Sequence, residues 1–123
     1  MKQALIALAA SVAALVMNPA YGHGAQPQHG GIVSSANEVS YELVAEGSKA
    51  TIYVIDHDKP VDTSKMRGKL TVLNGVEKSE VELKPAGQNK LEATQVKLAK
   101  GAKAVASVTR ADGKVATVRF SIR

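Results

Sequence analysis

Few side chains in this sequence are suited to binding a metal ion, and histidines are the most informative of them. His23 and His29 lie in the polar stretch HGAQPQHGG, and His57 lies between two aspartates. Imidazole nitrogens are ligands for copper, zinc and nickel, and carboxylates either ligate a cation or orient a ligating imidazole. A thioether suits reduced copper. The candidate metal ligands are therefore His23, His29, Asp56, His57, Asp58 and Met66.

Processing at the start of the chain determines how many metal-binding nitrogen atoms His23 offers. A positive residue, an apolar run and a helix-breaking pair follow one another, namely Lys2, Ala4 to Met17 and Asn18–Pro19. Ala20 and Gly22 are the small residues that signal peptidase requires, so residues 1–22 are predicted to be a cleaved secretory signal peptide. The apolar run of about 14 residues is too short to span a bilayer as a helix. After the cut, His23 would carry both a terminal amine and an imidazole, which can chelate one cation.

Each candidate also has a simpler interpretation. His23 and His29 would be solvated residues of a flexible arm, predicted over residues 23–31 because the segment is rich in glycine and proline. His57 would be exposed in a surface turn that its neighbouring aspartates stabilise. Met66 would be a packing residue, as most lone methionines are. The residue types alone leave both interpretations open.

An enzyme is not expected. The sequence has no cysteine, no serine in a glycine-flanked elbow and no glycine-rich phosphate loop after a strand. Acidic residues such as Glu80 and Glu82 alternate with apolar ones, which is typical of a solvated sheet face rather than an acid/base pair. No catalytic residue is assigned.

Composition narrows the class of protein further. The net charge of +5 falls to +4 when Lys2 leaves with the signal peptide, and the lysines are spread along the chain. Without clustered charge or aromatic stacking platforms, a nucleic-acid partner is not expected. The absence of cysteine excludes both a lipoprotein anchor and a disulfide framework. We expect an exported protein without a membrane span after cleavage.

The elements that must position these residues are short strands. From residue 32 onward, alternating apolar and polar runs are separated by turn signals about 10 residues apart, without a convincing helix. Asn74–Gly75 is a strong hairpin signal, and a change of phase between Leu91 and Leu98 indicates a bulge or a strand that changes sheets. This spacing predicts an all-β fold over residues 32–123, an antiparallel immunoglobulin-like β-sandwich of seven or eight strands, with an open barrel as the alternative.

Three short motifs support a family resemblance. They are HGGIV from His29, YELV from Tyr41 and IYVIDHDKPV from Ile52. In series they resemble small periplasmic β-domain proteins of proteobacterial metal-resistance systems. They are also similar to the HGG-starting domain of adaptor (membrane-fusion) subunits of heavy-metal efflux pumps. The resemblance covers about half of the mature chain and does not specify metal ligands.

The resemblance implies an immunoglobulin-like fold, a periplasmic address and an association with copper, zinc or related cations. It makes heavy-metal efflux pump components the expected partners. A periplasmic metal-binding or efflux accessory protein is the leading hypothesis, with a copper or zinc ion bound by the candidate ligands. The alternative is a structural or protein-interaction module of a cell-envelope complex that binds no metal and pairs with its partner through edge strands.

Overall fold

The computed structural model describes residues 26–123, and this part of the chain consists of nine antiparallel strands joined by turns and loops. The predicted signal peptide, its cleavage site and His23 lie outside the described residues. The strands are β1 (Ile32–Ala36), β2 (Val39–Glu46), β3 (Lys49–Asp56), β4 (Lys59–Pro60), β5 (Arg67–Asn74), β6 (Glu77–Pro85), β7 (Lys90–Thr94), β8 (Lys103–Thr109) and β9 (Val115–Ser121).

The strands form two layers that share one strand. One layer contains β1, β2, β3 and β7, with the two-residue β4 beside β3, and the other contains β6, β5, β8 and β9. The last residues of β6, Lys84 and Pro85, also pair with β7, so that β6 joins the layers. At the opposite side β1 lies against β9 without ladder pairing. The path β1-β2-β3-β7-β6-β5-β8-β9 contains the crossovers of a Greek key.

One aliphatic core lies between the layers. Alternate residues of each strand point inward, as the period of two requires. The largest side chains that are completely buried come from both layers and include Tyr41, Ile52, Leu70, Leu83 and Leu91. Small and β-branched residues of β8 and β9 fill the remaining volume. The predicted antiparallel all-β sandwich is confirmed, with the short β4 as a strand beyond the seven or eight expected.

Two local predictions are refined by the structure. The hairpin at Asn74–Gly75 forms, but Asn74 is the last residue of β5 and the turn residues are Gly75 and Val76. Only Gly75 has a positive φ, 64°, which fits a type II′ turn with glycine first. The phase change after Leu91 arises because β7 ends at Thr94 and Gln95 has a φ of 57°. The strand shared by both layers is β6 rather than β7.

Candidate functional site

A buried carboxylate lies on the outer face of the β1-β2-β3 layer. The inward residues of β2 are Tyr41 and Leu43, which enter the core, so Glu42 between them points away from it. An outward glutamate is normally solvated, yet Glu42 is only 2% exposed. A charge this deeply covered requires partners.

The segment before β1 supplies those partners. The backbone N–H groups of Gln28, His29 and Gly31 donate to the Glu42 carboxylate at 3.0, 2.8 and 2.9 Å. The Nδ1 atom of His29 lies 3.1 Å from Oε1 of the same carboxylate. Residues 28–31 therefore fold over the outer face of the sheet and cover Glu42. These residues belong to the arm predicted over residues 23–31, and they contact β2 through Glu42.

The backbone conformation explains why both residues after His29 in the HGG motif are glycines. Gly30 has a φ of 73°, in the left-handed region where a side chain is disfavoured. A Cβ atom on Gly31 would lie 2.3 Å from the carbonyl oxygen of Leu43. Gly31 therefore permits the close approach of the segment to β2 that its hydrogen bond to Glu42 requires.

An aromatic ring positions the imidazole. Tyr53 lies directly opposite Glu42 in the β2–β3 ladder, so the two side chains share one face of the sheet. The rings of His29 and Tyr53 are stacked, with their centroids 3.6 Å apart and their planes at 3°. His29 is held in its plane by Tyr53 and at one edge by Glu42, while 38% of its side chain remains exposed.

The hydrogen bonds keep Glu42 ionised. Burial alone would raise the pKa of this carboxyl, because a charge loses hydration there. The backbone N–H groups of Gln28 and Gly31 and the side chain of His29 outweigh that effect and hold the pKa of Glu42 below its ordinary value. A negative charge is thus retained next to the imidazole at neutral pH.

This arrangement determines which nitrogen of His29 is available. An ionised carboxylate only accepts hydrogen bonds, so the Nδ1 atom beside it carries a proton and donates. In the neutral ring the Nε2 atom then keeps its lone pair. Metal-ligating histidines in proteins commonly donate their other ring N–H to a carboxylate in this way. His29 therefore has the chemistry of a preoriented nitrogen ligand.

The second candidate group lies in the turn between β3 and β4. His57 and Asp58 have φ values of 50° and 67°, as the two central residues of a type I′ hairpin do. The Nδ1 atom of His57 contacts Oδ1 of Asp56 at 2.5 Å. This pair is open to solvent, since 76% of the His57 side chain is exposed. No aromatic ring or backbone cradle fixes its position among residues 26–123.

The structure does not assemble the candidate ligands into one cluster. Asp56, the last residue of β3, lies about 10 Å along the strand from Tyr53, on which His29 stacks, and His57 lies beyond it in the turn. Met66 is 3% exposed and belongs to the hydrophobic core. Within residues 26–123, no group of three or more histidine, cysteine, aspartate or glutamate side chains is placed to hold a metal ion. His29 is the described candidate with the most organised surroundings.

Glu42 and Tyr53, the two residues that fix the position of His29, were not identified by sequence reasoning. The alternation of β2 correctly places Glu42 on the polar face, but periodicity carries no information about a segment folding over that face. The available signal was an aromatic residue, Tyr53, on the outer face of a strand, and a glycine pair after His29 that permits a tight turn.

Comparisons with protein-family models, with curated proteins and with solved structures found no match. In the described part of the chain, no helix has the length and apolar character needed to cross a membrane.

Proposed function

We propose that this protein binds a copper- or zinc-type cation in the periplasm and serves as an accessory component of heavy-metal efflux. The observation that carries the proposal is the contact between Glu42 and Nδ1 of His29. A buried, ionised carboxylate that accepts from one ring nitrogen leaves the other free to ligate. Burial of the Glu42 carboxylate is costly unless it has hydrogen-bond partners, and a purely solvated segment around His29 would not supply them.

The three motifs behind the family resemblance meet at this point. His29 and the glycines come from HGGIV, Glu42 from YELV and Tyr53 from IYVIDHDKPV. The hydrogen bonds to Glu42 and the stacking on Tyr53 join these motifs into one structural unit. A shared unit supports the view that the resemblance reflects a common site rather than coincidence in alternating strands.

In this proposal His29 is one ligand and the residues before it supply others. Cleavage after Gly22 would give His23 a terminal amine in addition to its imidazole. The six-residue separation from His29 allows the chain to fold back to the same cation. Nitrogen donors of this kind suit copper and zinc. Asp56 and His57 remain outside the set because they lie at the end of β3 and in the turn after it, away from Tyr53.

A site with few protein ligands and an exposed imidazole fits a carrier role. The cation would keep solvent or a partner's ligands in its remaining positions, so that it exchanges readily. Handing the cation to efflux pump components is the step that this arrangement would serve. Glu42 and Tyr53 would hold His29 in place and do not themselves contact the cation.

Calorimetric titration of the processed protein, beginning at His23, tests metal binding. We expect Cu(II) or Zn(II) to bind more tightly than about 1 mM, which corresponds to about −4 kcal/mol. Glu42→Gln is expected to weaken binding by about 10- to 100-fold, the usual effect of losing a carboxylate behind a ligating histidine. His29→Ala should weaken it at least as much.

His57→Ala is the matched control, because it removes an exposed imidazole that also contacts a carboxylate. We expect it to bind metal like the unmodified protein. Equal affinities for the unmodified protein and His29→Ala would refute the assignment of His29.

In cells lacking the protein, only variants that retain His29 should restore tolerance to the metal. Equal rescue by His29→Ala would separate the efflux role from this site.

A further inference from the structure

Strand β6 has an unpaired edge. It pairs with β5 along its length, from Glu77 to Leu83, but with β7 only at Lys84 and Pro85. Beyond that point the two layers separate, and within residues 26–123 no strand lies beside the first part of β6. Exposed sheet edges of this kind accept another strand.

The register shows which residues face this edge. In a two-residue hairpin, the flanking residues Asn74 and Glu77 form a hydrogen-bonded pair, so the odd-numbered residues of β6 bond to β5. The backbone groups of the even-numbered residues point the other way. Lys84 accordingly pairs with β7, and the N–H of Ala86 donates to the carbonyl of Lys90 at 2.9 Å. The free backbone groups therefore belong to Lys78, Glu80 and Glu82.

We propose that β6 is the interface of a homodimer, in which this edge pairs antiparallel with β6 of a second copy. A two-fold axis would pass beside Ser79. Lys78 would then lie opposite Glu80 of the second copy, and Glu80 opposite its Lys78. The interaction does not depend on the metal site, which lies on β2 and β3 in the other layer.

Charge complementarity selects this register and this occupant. A symmetric pairing must match even-numbered residues with even-numbered residues, because these carry the free backbone groups. Shifting the axis to Lys78 places lysine opposite lysine, and shifting it to Glu80 places glutamate opposite glutamate. Moving the axis one residue further along β6 places Glu80 opposite Glu82 of the second copy. The axis beside Ser79 gives two opposite-charge pairs, which stabilise an antiparallel ladder, and no like-charge pair.

The same register also places the tip of the β5–β6 hairpin against the second copy. Val76 is 98% exposed, although it is a large apolar residue. With the axis at Ser79, Val76 of the second copy lies opposite Glu82, at the mouth of the cleft between β6 and β7. That cleft has a volume of about 480 Å³, and Val81 and Pro85 contribute apolar surface to it. One arrangement therefore uses the free edge, the exposed valine and the cleft together.

Sedimentation velocity of the metal-free protein between about 1 µM and 1 mM, the range of weak complexes, tests the proposal. We expect a monomer–dimer equilibrium. Lys78→Glu and Glu80→Lys should each be monomeric, because each places like charges opposite one another. An equimolar mixture of the two variants should dimerise again, since every pair then joins opposite charges. Val76→Ser should weaken the dimer about tenfold or more.

Matched controls reverse the same charges elsewhere. Lys114 and Glu46 are exposed and lie outside β6, so Lys114→Glu and Glu46→Lys should dimerise normally. Glu80→Lys also removes an ion pair with Lys69 at 3.8 Å, but an exposed pair of this kind contributes little to stability. Recovery in the mixture also shows that both variants are folded.

A monomer throughout the concentration range would overturn the proposal, as would dimers that both charge reversals leave intact. Failure of the mixture to recover would overturn the register.

Discussion

At the residue scale, the central feature is the Glu42 carboxylate, which accepts four hydrogen bonds from three residues of the segment before β1. Glu42 receives hydrogen bonds from three backbone N–H groups and an imidazole, and it is nearly inaccessible to solvent. The alternation of apolar and polar residues along β2 predicts that Glu42 points outward, but it does not predict that Glu42 is buried. The covering segment is 11 to 14 positions earlier in the sequence, and contacts over that separation leave no periodic trace.

Replacing Glu42 by glutamine tests the contribution of its charge to stability. The folded-state pKa of Glu42 is lowered, so its ionised form stabilises the fold above the unfolded value of about 4.3. That contribution is lost as the pH falls through the folded-state pKa. In urea unfolding we expect Glu42→Gln to cost about 1–3 kcal/mol at pH 7, and the difference to shrink at pH 3.

Glu46→Gln on the same strand is the control, because Glu46 is exposed. It should unfold like the unmodified protein at both pH values. A deficit for Glu42→Gln that is as large at pH 3 as at pH 7 would contradict the role given to the ionised carboxylate.

Tyr41 offers a second test at this scale. Its side chain is completely buried in the core, and its hydroxyl has no hydrogen-bond partner among the described residues. Burial of an unpaired hydroxyl costs about 1–3 kcal/mol. We therefore expect Tyr41→Phe to raise the free energy of unfolding by about 1 kcal/mol in urea titrations. A clear loss of stability would show that the hydroxyl has a partner.

At the scale of elements, turns were easier to predict than the ends of strands. The β5–β6 hairpin follows from its glycine, and the alternating runs locate the strands on both sides. The end of β7 was not predictable, because Val96 and Leu98 continue an apolar pattern after the strand has ended. The N–H of Val96 donates to the carbonyl of Ser48 at 3.0 Å, and such a long-range contact is not encoded locally.

The β5–β6 turn makes an element-scale prediction. Gly75 has a positive φ, so Gly75→Ala places a Cβ atom in an unfavourable backbone conformation and should cost about 1–2 kcal/mol. Val76→Ala in the same turn should change monomer stability by less than about 0.5 kcal/mol, since Val76 is exposed. Thermal unfolding at low protein concentration compares them. Equal losses for both variants would contradict the assigned turn.

At the scale of the whole molecule, the two layers share one core and one strand. Both layers were predictable as an antiparallel sandwich from the spacing of strands and turns. The position of β6 in both layers was not, because the separation from β7 depends on how the sheets twist and pack. Without disulfides, stability rests on this common core.

We therefore expect the domain to unfold as one cooperative unit. Methyl signals of Ile52 in one layer and Val118 in the other should lose native intensity at the same urea concentration, within error. Both residues are buried, so they report on the core from opposite sides. Separate midpoints would show that the layers are independent.

The contact between His29 and Glu42 is the central claim, and nitrogen NMR of the two described histidines tests it most directly. In the metal-free processed protein near pH 7.5, we expect neutral His29 to carry its proton on Nδ1. Sub-stoichiometric Zn(II) should then shift or broaden the Nε2 signal of His29 and leave His57 unchanged. A His29 protonated on Nε2, or one whose signals do not respond while His57 responds, would contradict the account.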